Sequence, residues 1–136
     1  MAFLKENAKH NMTKKTILVV EDEQGIQRVL CDKLREEGFS VLEAKNGEEG
    51  LAIAKSSHPD LILLDILMPI MDGIEMLKRL RTDEWGKGVQ VILLTNLSEE
   101  EKVSNAMELG IFDYLVKADW SLLEVIKKIK EKLSVE

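Results

Sequence analysis

The chain has 136 residues, 45% of them hydrophobic and 32% charged, which is room for one core and an ordinary globular mixture rather than a disordered or fibrous one. Lys and Arg number 19 against 25 Asp and Glu, so the formal net charge is −6 and unaided binding to nucleic acid or to an anionic membrane is disfavoured, since both partners are negative. One cysteine excludes an internal disulfide and fits a reducing, cytoplasmic location, two histidines are too few for a histidine-rich metal site, and no apolar run approaches the roughly 20 residues of a membrane span.

Residues 1–13 are largely polar and unpatterned, with Phe3-Leu4 their one strongly apolar pair, so they are expected to form a flexible tail without the apolar core of a signal peptide, and the organised domain is 14–136. Thr16-Ile-Leu-Val-Val20 is short, apolar and β-branched, which suits a strand buried on both faces. Ile26, Val29, Leu30 and Leu34 then mark the inner face of a helix that Gly38 stops, with Cys31 at the edge of that face as a small core or boundary residue. Phe39 to Ala44 alternates weakly and predicts a second strand, after which Asn46-Gly-Glu-Glu49 caps a helix running to about Ser57. His58-Pro59-Asp60 breaks this helix, and Leu61-Ile-Leu-Leu64 predicts a third buried strand ending at Asp65. The loop Ile66 to Asp72 leads through Gly73 into a helix carrying Ile74, Leu77 and Leu80, and Val89 to Leu94 is the fourth strand. Ser98-Glu-Glu-Glu101 caps a helix that Gly110 closes, and Phe112 to Val116 is the fifth strand. Ser121-Leu-Leu-Glu124 caps the last helix, whose Lys127-Lys128-Ile-Lys130-Glu-Lys132 run reads as a solvated face. Strands alternating with helices on short connections predict an α/β doubly wound, five-stranded parallel sheet with helices on both faces.

In open parallel sheets ligands bind beyond the carboxyl ends of the strands. At that edge the chain carries Glu21-Asp22-Glu23 after the first strand, Asp65 after the third, Thr95-Asn96 after the fourth and Lys117 after the fifth. Taken singly, each reads as ordinary loop or cap polarity. Together they converge several carboxylates, which repel one another unless a cation, either Lys117 or a metal, lies among them. Oxygen ligands without His or Cys point to a hard ion such as Mg²⁺. No G-x-x-x-x-G-K-[ST] is present and no G-x-G-x-x-G follows the first strand, so P-loop and dinucleotide sites are excluded. Glu21-Asp22-Glu23 would repel a flavin phosphate, and Leu67 stands where a haloacid-dehalogenase-type phosphatase needs a second Asp.

These residues resemble a response-regulator receiver domain of two-component signalling, from about Thr16 to Leu133. The likeness is carried by Ile-Leu-Val-Val-Glu21-Asp22, by Asp60-Leu-Ile-Leu-Leu-Asp65, by Met68-Pro69-Ile-Met71-Asp72-Gly73, by Thr95, and by Asp113-Tyr114-Leu-Val-Lys117. It implies a flavodoxin-like sheet with strand order 2-1-3-4-5. It implies that Asp65 accepts a phosphoryl group as an acyl phosphate, and that Asp22, Asp65 and the Leu67 carbonyl hold Mg²⁺, with Glu21 acting nearby through water. Lys117 would pair with Asp65 and then with the phosphoryl oxygens, Thr95 would hydrogen-bond the phosphoryl group, and Tyr114 would be the aromatic switch. Gly73 fits the family's tight turn into the third helix. The implied donor is a sensor histidine kinase or phosphotransfer protein in a phosphorelay. The implied output is a protein target met through the Ser98 helix, the fifth strand and the last helix, with no direct nucleic-acid or membrane contact. Only three residues follow Leu133, so no output domain is expected. Such a domain catalyses its own phosphorylation and dephosphorylation without being a conventional turnover enzyme.

The sequence departs from the family pattern at a few positions. Glu21 stands where Asp is usual, Leu67 and Leu97 where many members are polar, and Ala118 where Pro commonly follows the lysine. A non-proline cis bond costs ~2.5–4 kcal/mol, so the Lys117–Ala118 peptide is expected to be trans. Met68 and Met71 read as packing rather than ligands, Tyr114 also fits a plain strand aromatic, and Trp85 and Trp120 have no functional account. The alternative is a receiver-fold binding module that is not phosphorylated; Asp22, Asp65, Thr95 and Lys117 occurring together argue against it.

Overall fold

Strands that are apolar on both faces must be covered twice, and the chain meets that demand with one sheet between two helical layers. A computed structural model describes residues 14–95, 104, 107, 108, 114–116 and 121–134, with Thr95 and 114–116 described by their backbone. Strands β1 (Thr16–Val20), β2 (Ser40–Ala44), β3 (Leu61–Asp65), β4 (Gln90–Thr95) and β5 (Tyr114–Val116) pair in the order β2-β1-β3-β4-β5. All four pairings are parallel, the doubly wound arrangement expected. Helices α1 (Gln24–Glu36), α2 (Gly47–Ser57), α3 (Gly73–Thr82) and the C-terminal helix (Leu122–Leu133) cover the sheet.

Alternate residues of the same strand serve opposite cores. Leu18, Val20, Ile62 and Leu64 pack with Leu51 and Ala54 of α2 and with Met76, Leu77 and Leu80 of α3. Ile17, Val19, Leu61 and Leu63 pack with Leu30, Cys31 and Leu34 of α1 and with Val125, Ile126 and Ile129 of the C-terminal helix. No helix among the described residues is long and apolar enough to cross a membrane.

The sequence's capping signals act as expected. Asn46 accepts from the Glu49 N–H at 2.9 Å and Ser121 from Glu124 at 3.2 Å; Asp72, read from sequence only as the end of a loop, likewise accepts from Glu75 at 2.8 Å. Gly38, at φ 98°, ends α1 in a Schellman turn: its N–H donates to the Arg35 carbonyl, and the Phe39 N–H donates to the Leu34 carbonyl. That turn consumes Phe39, so β2 begins at Ser40. Register sets β4 one residue later than expected, because Gln90 pairs with Leu61.

The inner face of α1 differs from the expectation. Its buried residues are Gln27, Leu30, Cys31 and Leu34, while Val29 is 52% exposed. Val29 lies about 200° round the helix from both Gln27 and Cys31, so it points away from the sheet. Gln27 replaces it inside because its amide donates to the Ala44 carbonyl at 2.9 Å, which satisfies the buried polar group. Trp85 gains a packing role: it stacks on His58 at 4.4 Å and 9°, near the amino ends of the strands. The tail 1–13, the capping signal at Ser98, Phe112, the Lys117–Ala118 peptide and Trp120 lie outside the described residues.

Candidate functional site

Sheet register carries the polar residues to one edge. Val20 pairs with Leu64, so Glu21 and Asp65, each one residue further along, come side by side at the carboxyl edge. Asp65 pairs with Leu94, which puts Thr95 one residue beyond it, and Thr95 pairs with Val116, the residue before Lys117. The Glu21 N–H, bonded to the Ala44 carbonyl at 3.0 Å, extends the ladder and fixes where β1 ends.

Glu21 is 1% exposed and Asp65 3%, whereas Asp22 is open to solvent. One carboxylate oxygen from each of the three lies within 4.8 Å of the others. The Glu23 N–H donates to Glu21 Oε2 at 3.1 Å, so the loop's own backbone orients that carboxylate. Carboxylate oxygens gathered this closely beside a dry sheet could hold a hard cation, and their spread approaches the roughly 4 Å between opposite oxygens around Mg²⁺. The donor set therefore fits Mg²⁺, with all ligands oxygen and one side open for waters.

The loop between β3 and α3 shapes the rest of the site. Ile66 is fully buried, Leu67 is half exposed, and Met68 and Met71 pack against the α2/α3 core, as their reading as packing residues required. The Gly73 N–H donates to the Ile66 carbonyl at 2.8 Å, and a Cβ on Gly73 would lie 2.2 Å from the Asp65 carbonyl oxygen. Only glycine allows α3 to start there. Ile70 has φ 71°, and the Met71 N–H reaches back to the Pro69 carbonyl at 2.8 Å. This is a γ-turn of the rare, strained hand, here on a β-branched residue.

The structure thus brings Glu21, Asp22 and Asp65 together, with Leu67 two residues further along the loop. Thr95 and Tyr114 sit in β4 and β5, Tyr114 opposite Leu93; their side chains, and Lys117 and Leu97 entirely, lie outside the described residues. Ile70 and Gly47, whose N–H donates to the Met71 carbonyl at 2.8 Å, were not singled out by sequence. Asn46-Gly47 marked a helix start, but no spacing says which loop the helix meets.

Residues 17–130 match the family model described as the response regulator receiver domain. The chain belongs to that family. It is 37% identical over 122 residues to the phosphate regulon transcriptional regulatory protein PhoB of Pseudomonas aeruginosa, covering 90% of this chain and 53% of the relative. It is 33% identical over 125 residues to the sporulation initiation phosphotransferase F of Bacillus subtilis, covering 92% and 98%. Among solved structures it is similar to the receiver domain of a Pseudomonas aeruginosa sensor histidine kinase, described with a magnesium ion coordinated in its active site cleft. That match has a TM-score of 0.80 and 28% identity, covering 89% of this chain and 98% of the other. The receiver spans about half the length of the transcriptional regulators it matches.

Proposed function

We propose that this receiver domain is a phosphorylation-activated signalling switch in which Asp65 takes a phosphoryl group from a sensor histidine kinase or a phosphotransfer protein. The observation that carries the reading is the near-buried Asp65 carboxylate at the end of the central strand, sharing one edge with Glu21 and Asp22. An Asp65 oxygen forms the new P–O bond while the P–N bond to the donor imidazole breaks, its electron pair staying on nitrogen. Asp22, Asp65 and the Leu67 carbonyl would hold Mg²⁺, with Glu21 reaching it through water. Bound Mg²⁺ supplies the positive charge that lets an anionic phosphoryl group approach these carboxylates. The magnesium described for the Pseudomonas receiver supports this assignment.

Lys117, next in the chain after Val116, pairs with Asp65 before transfer and with phosphoryl oxygens after it. The Thr95 hydroxyl donates to a phosphoryl oxygen, and Tyr114 turns inward as Thr95 moves. The readout is a protein surface formed by the Ser98–Gly110 segment, β5 and the C-terminal helix, in a cytoplasmic protein. Net charge −6 sets this domain itself against direct nucleic-acid contact.

The test is incubation with acetyl phosphate and Mg²⁺ followed by intact mass. The wild type should gain one phosphoryl group; Asp65→Asn, and the wild type in excess EDTA, should gain none. Equal uptake by Asp65→Asn refutes the nucleophile, and a folded wild type that stays unmodified favours the non-phosphorylated module.

A further inference from the structure

The Asp65 loop is held at its own end by Gly73 and, further out, by a helix from elsewhere in the chain. The first N–H of α2, on Gly47, has no partner within its own helix and finds one in the Met71 carbonyl at 2.8 Å. A Cβ on Gly47 would lie 2.4 Å from that oxygen, 2.9 Å from Met71 Cγ and 3.0 Å from the Asp72 carbonyl oxygen. Two of these three atoms are backbone and cannot swing aside. To reach an ordinary contact of 3.4 Å, the Met71 carbonyl or the helix must retreat by about 1 Å. Next to Met71 is the strained Ile70 turn, so the Gly47 hydrogen bond grips the loop where it is least inclined to stay. Gly50, one turn along α2, is a different case: its Cβ would meet Met76 Sδ at 2.9 Å and the Val20 methyls at 3.0 Å, all side-chain atoms of the core.

We infer that Gly47 is a positioning residue for the phosphoacceptor site: its missing side chain lets α2 dock on the Met71 carbonyl and fixes the loop that carries the Leu67 carbonyl. The consequence for Mg²⁺ and phosphorylation rests on the proposed function; the placement of the loop does not. Gly47 acts at a distance, through the backbone of residues 66–72. Its effect is therefore separable from general loss of stability, which Gly50→Ala should reproduce without moving the loop.

The experiment compares wild type, Gly47→Ala and Gly50→Ala by Mg²⁺ titration, by phosphorylation rate with acetyl phosphate, and by backbone amide NMR. A misplacement of about 1 Å can cost on the order of 100-fold in rate. Gly47→Ala should therefore bind Mg²⁺ at least fivefold more weakly and be phosphorylated at least tenfold more slowly, with amides of residues 66–72 shifted. Gly50→Ala should lose stability but keep wild-type Mg²⁺ affinity and loop amide shifts. Wild-type Mg²⁺ affinity in folded Gly47→Ala, or an equal loss in Gly50→Ala, overturns the inference. If the wild type itself binds no Mg²⁺, the proposed function falls and the amide shifts decide alone. Shifts moved in Gly47→Ala but not in Gly50→Ala support the placement, and shifts unmoved in both refute it. Should Gly47→Ala not fold, the comparison is repeated in Ile70→Gly, whose freer turn accommodates a displaced Met71 carbonyl.

Discussion

Ile70 is a position where removing a side chain should strengthen the fold, because the residue holds φ 71° in a γ-turn while its side chain is 76% exposed. Left-handed backbone costs an L-residue roughly 1–2 kcal/mol, and β-branching places isoleucine at the upper end. Glycine abolishes that strain but gives the unfolded chain more freedom to lose, worth roughly 0.5–1 kcal/mol against it. So little of the side chain is buried that its loss adds only about a few tenths of a kcal/mol. Ile70→Gly should therefore gain roughly 0.5–1 kcal/mol in urea unfolding, or about 2–3 °C in Tm. Ile70→Ala keeps the positive φ without the branch, so its stability should fall between the two. A midpoint for Ile70→Gly at or below that of Ile70→Ala, with equal m-values, would refute the strain argument. The same substitution should slow phosphorylation by acetyl phosphate, because a turn that relaxes also lets the Asp65 loop wander.

Two further variants probe the helix pairing and the lifetime of the signal. The Glu37 carboxyl is held below its ordinary value of 4.5, first by the hydrogen bond from Lys130 at 2.6 Å and then by that lysine's charge and by Lys33. A depressed carboxyl contributes stability above its unfolded value and loses it as pH falls through the folded one. Glu37→Gln should thus be less stable than wild type at pH 7, with the gap closing below pH 4.5 and shrinking in salt; a pH-independent gap refutes the ion-pair origin. For the phosphoryl group, Leu67 and Leu97 offer no hydrogen bond to an attacking water, and Leu67 is only half exposed. Leu67→Asn/Leu97→Glu should lose the aspartyl phosphate several-fold faster by intact mass, and unchanged decay would falsify a clock set by these leucines.

Much of the fold was legible because each local signal had one dominant cause. Apolar β-branched runs such as Ile17–Val20 can only be satisfied between two layers, and Asn46 and Ser121 each answer an orphan N–H three residues on. On α1 hydrophobicity and burial part company: Val29 is exposed while the polar Gln27 is buried. Gln27 enters the core since its amide has a partner in the Ala44 carbonyl, a contact made across 17 residues that no helical period contains. The shifts at β2 and β4 share that origin, being set by a turn and by a neighbouring strand's register rather than by the strand itself.

The site divides along the same line. Glu21, Asp22 and Asp65 were legible because a parallel sheet brings the carboxyl ends of its strands together, so position in the chain already implies proximity. Gly73 was legible only through the family resemblance, whose tight turn into the third helix it fits; the structure adds that a Cβ there would meet the Asp65 carbonyl. Gly47 was not legible, although its hydrogen bond to Met71 is as short as that of Gly73 to Ile66. Its requirement for a missing Cβ arises from how α2 and α3 lie beside each other on one face of the sheet, which follows from the volumes of Leu51, Ala54, Met76 and Leu77 between them. Core packing on that face therefore sets where α2 begins against the Met71 carbonyl. A volume change such as Ala54→Val should reach the phosphoacceptor loop through the same contact.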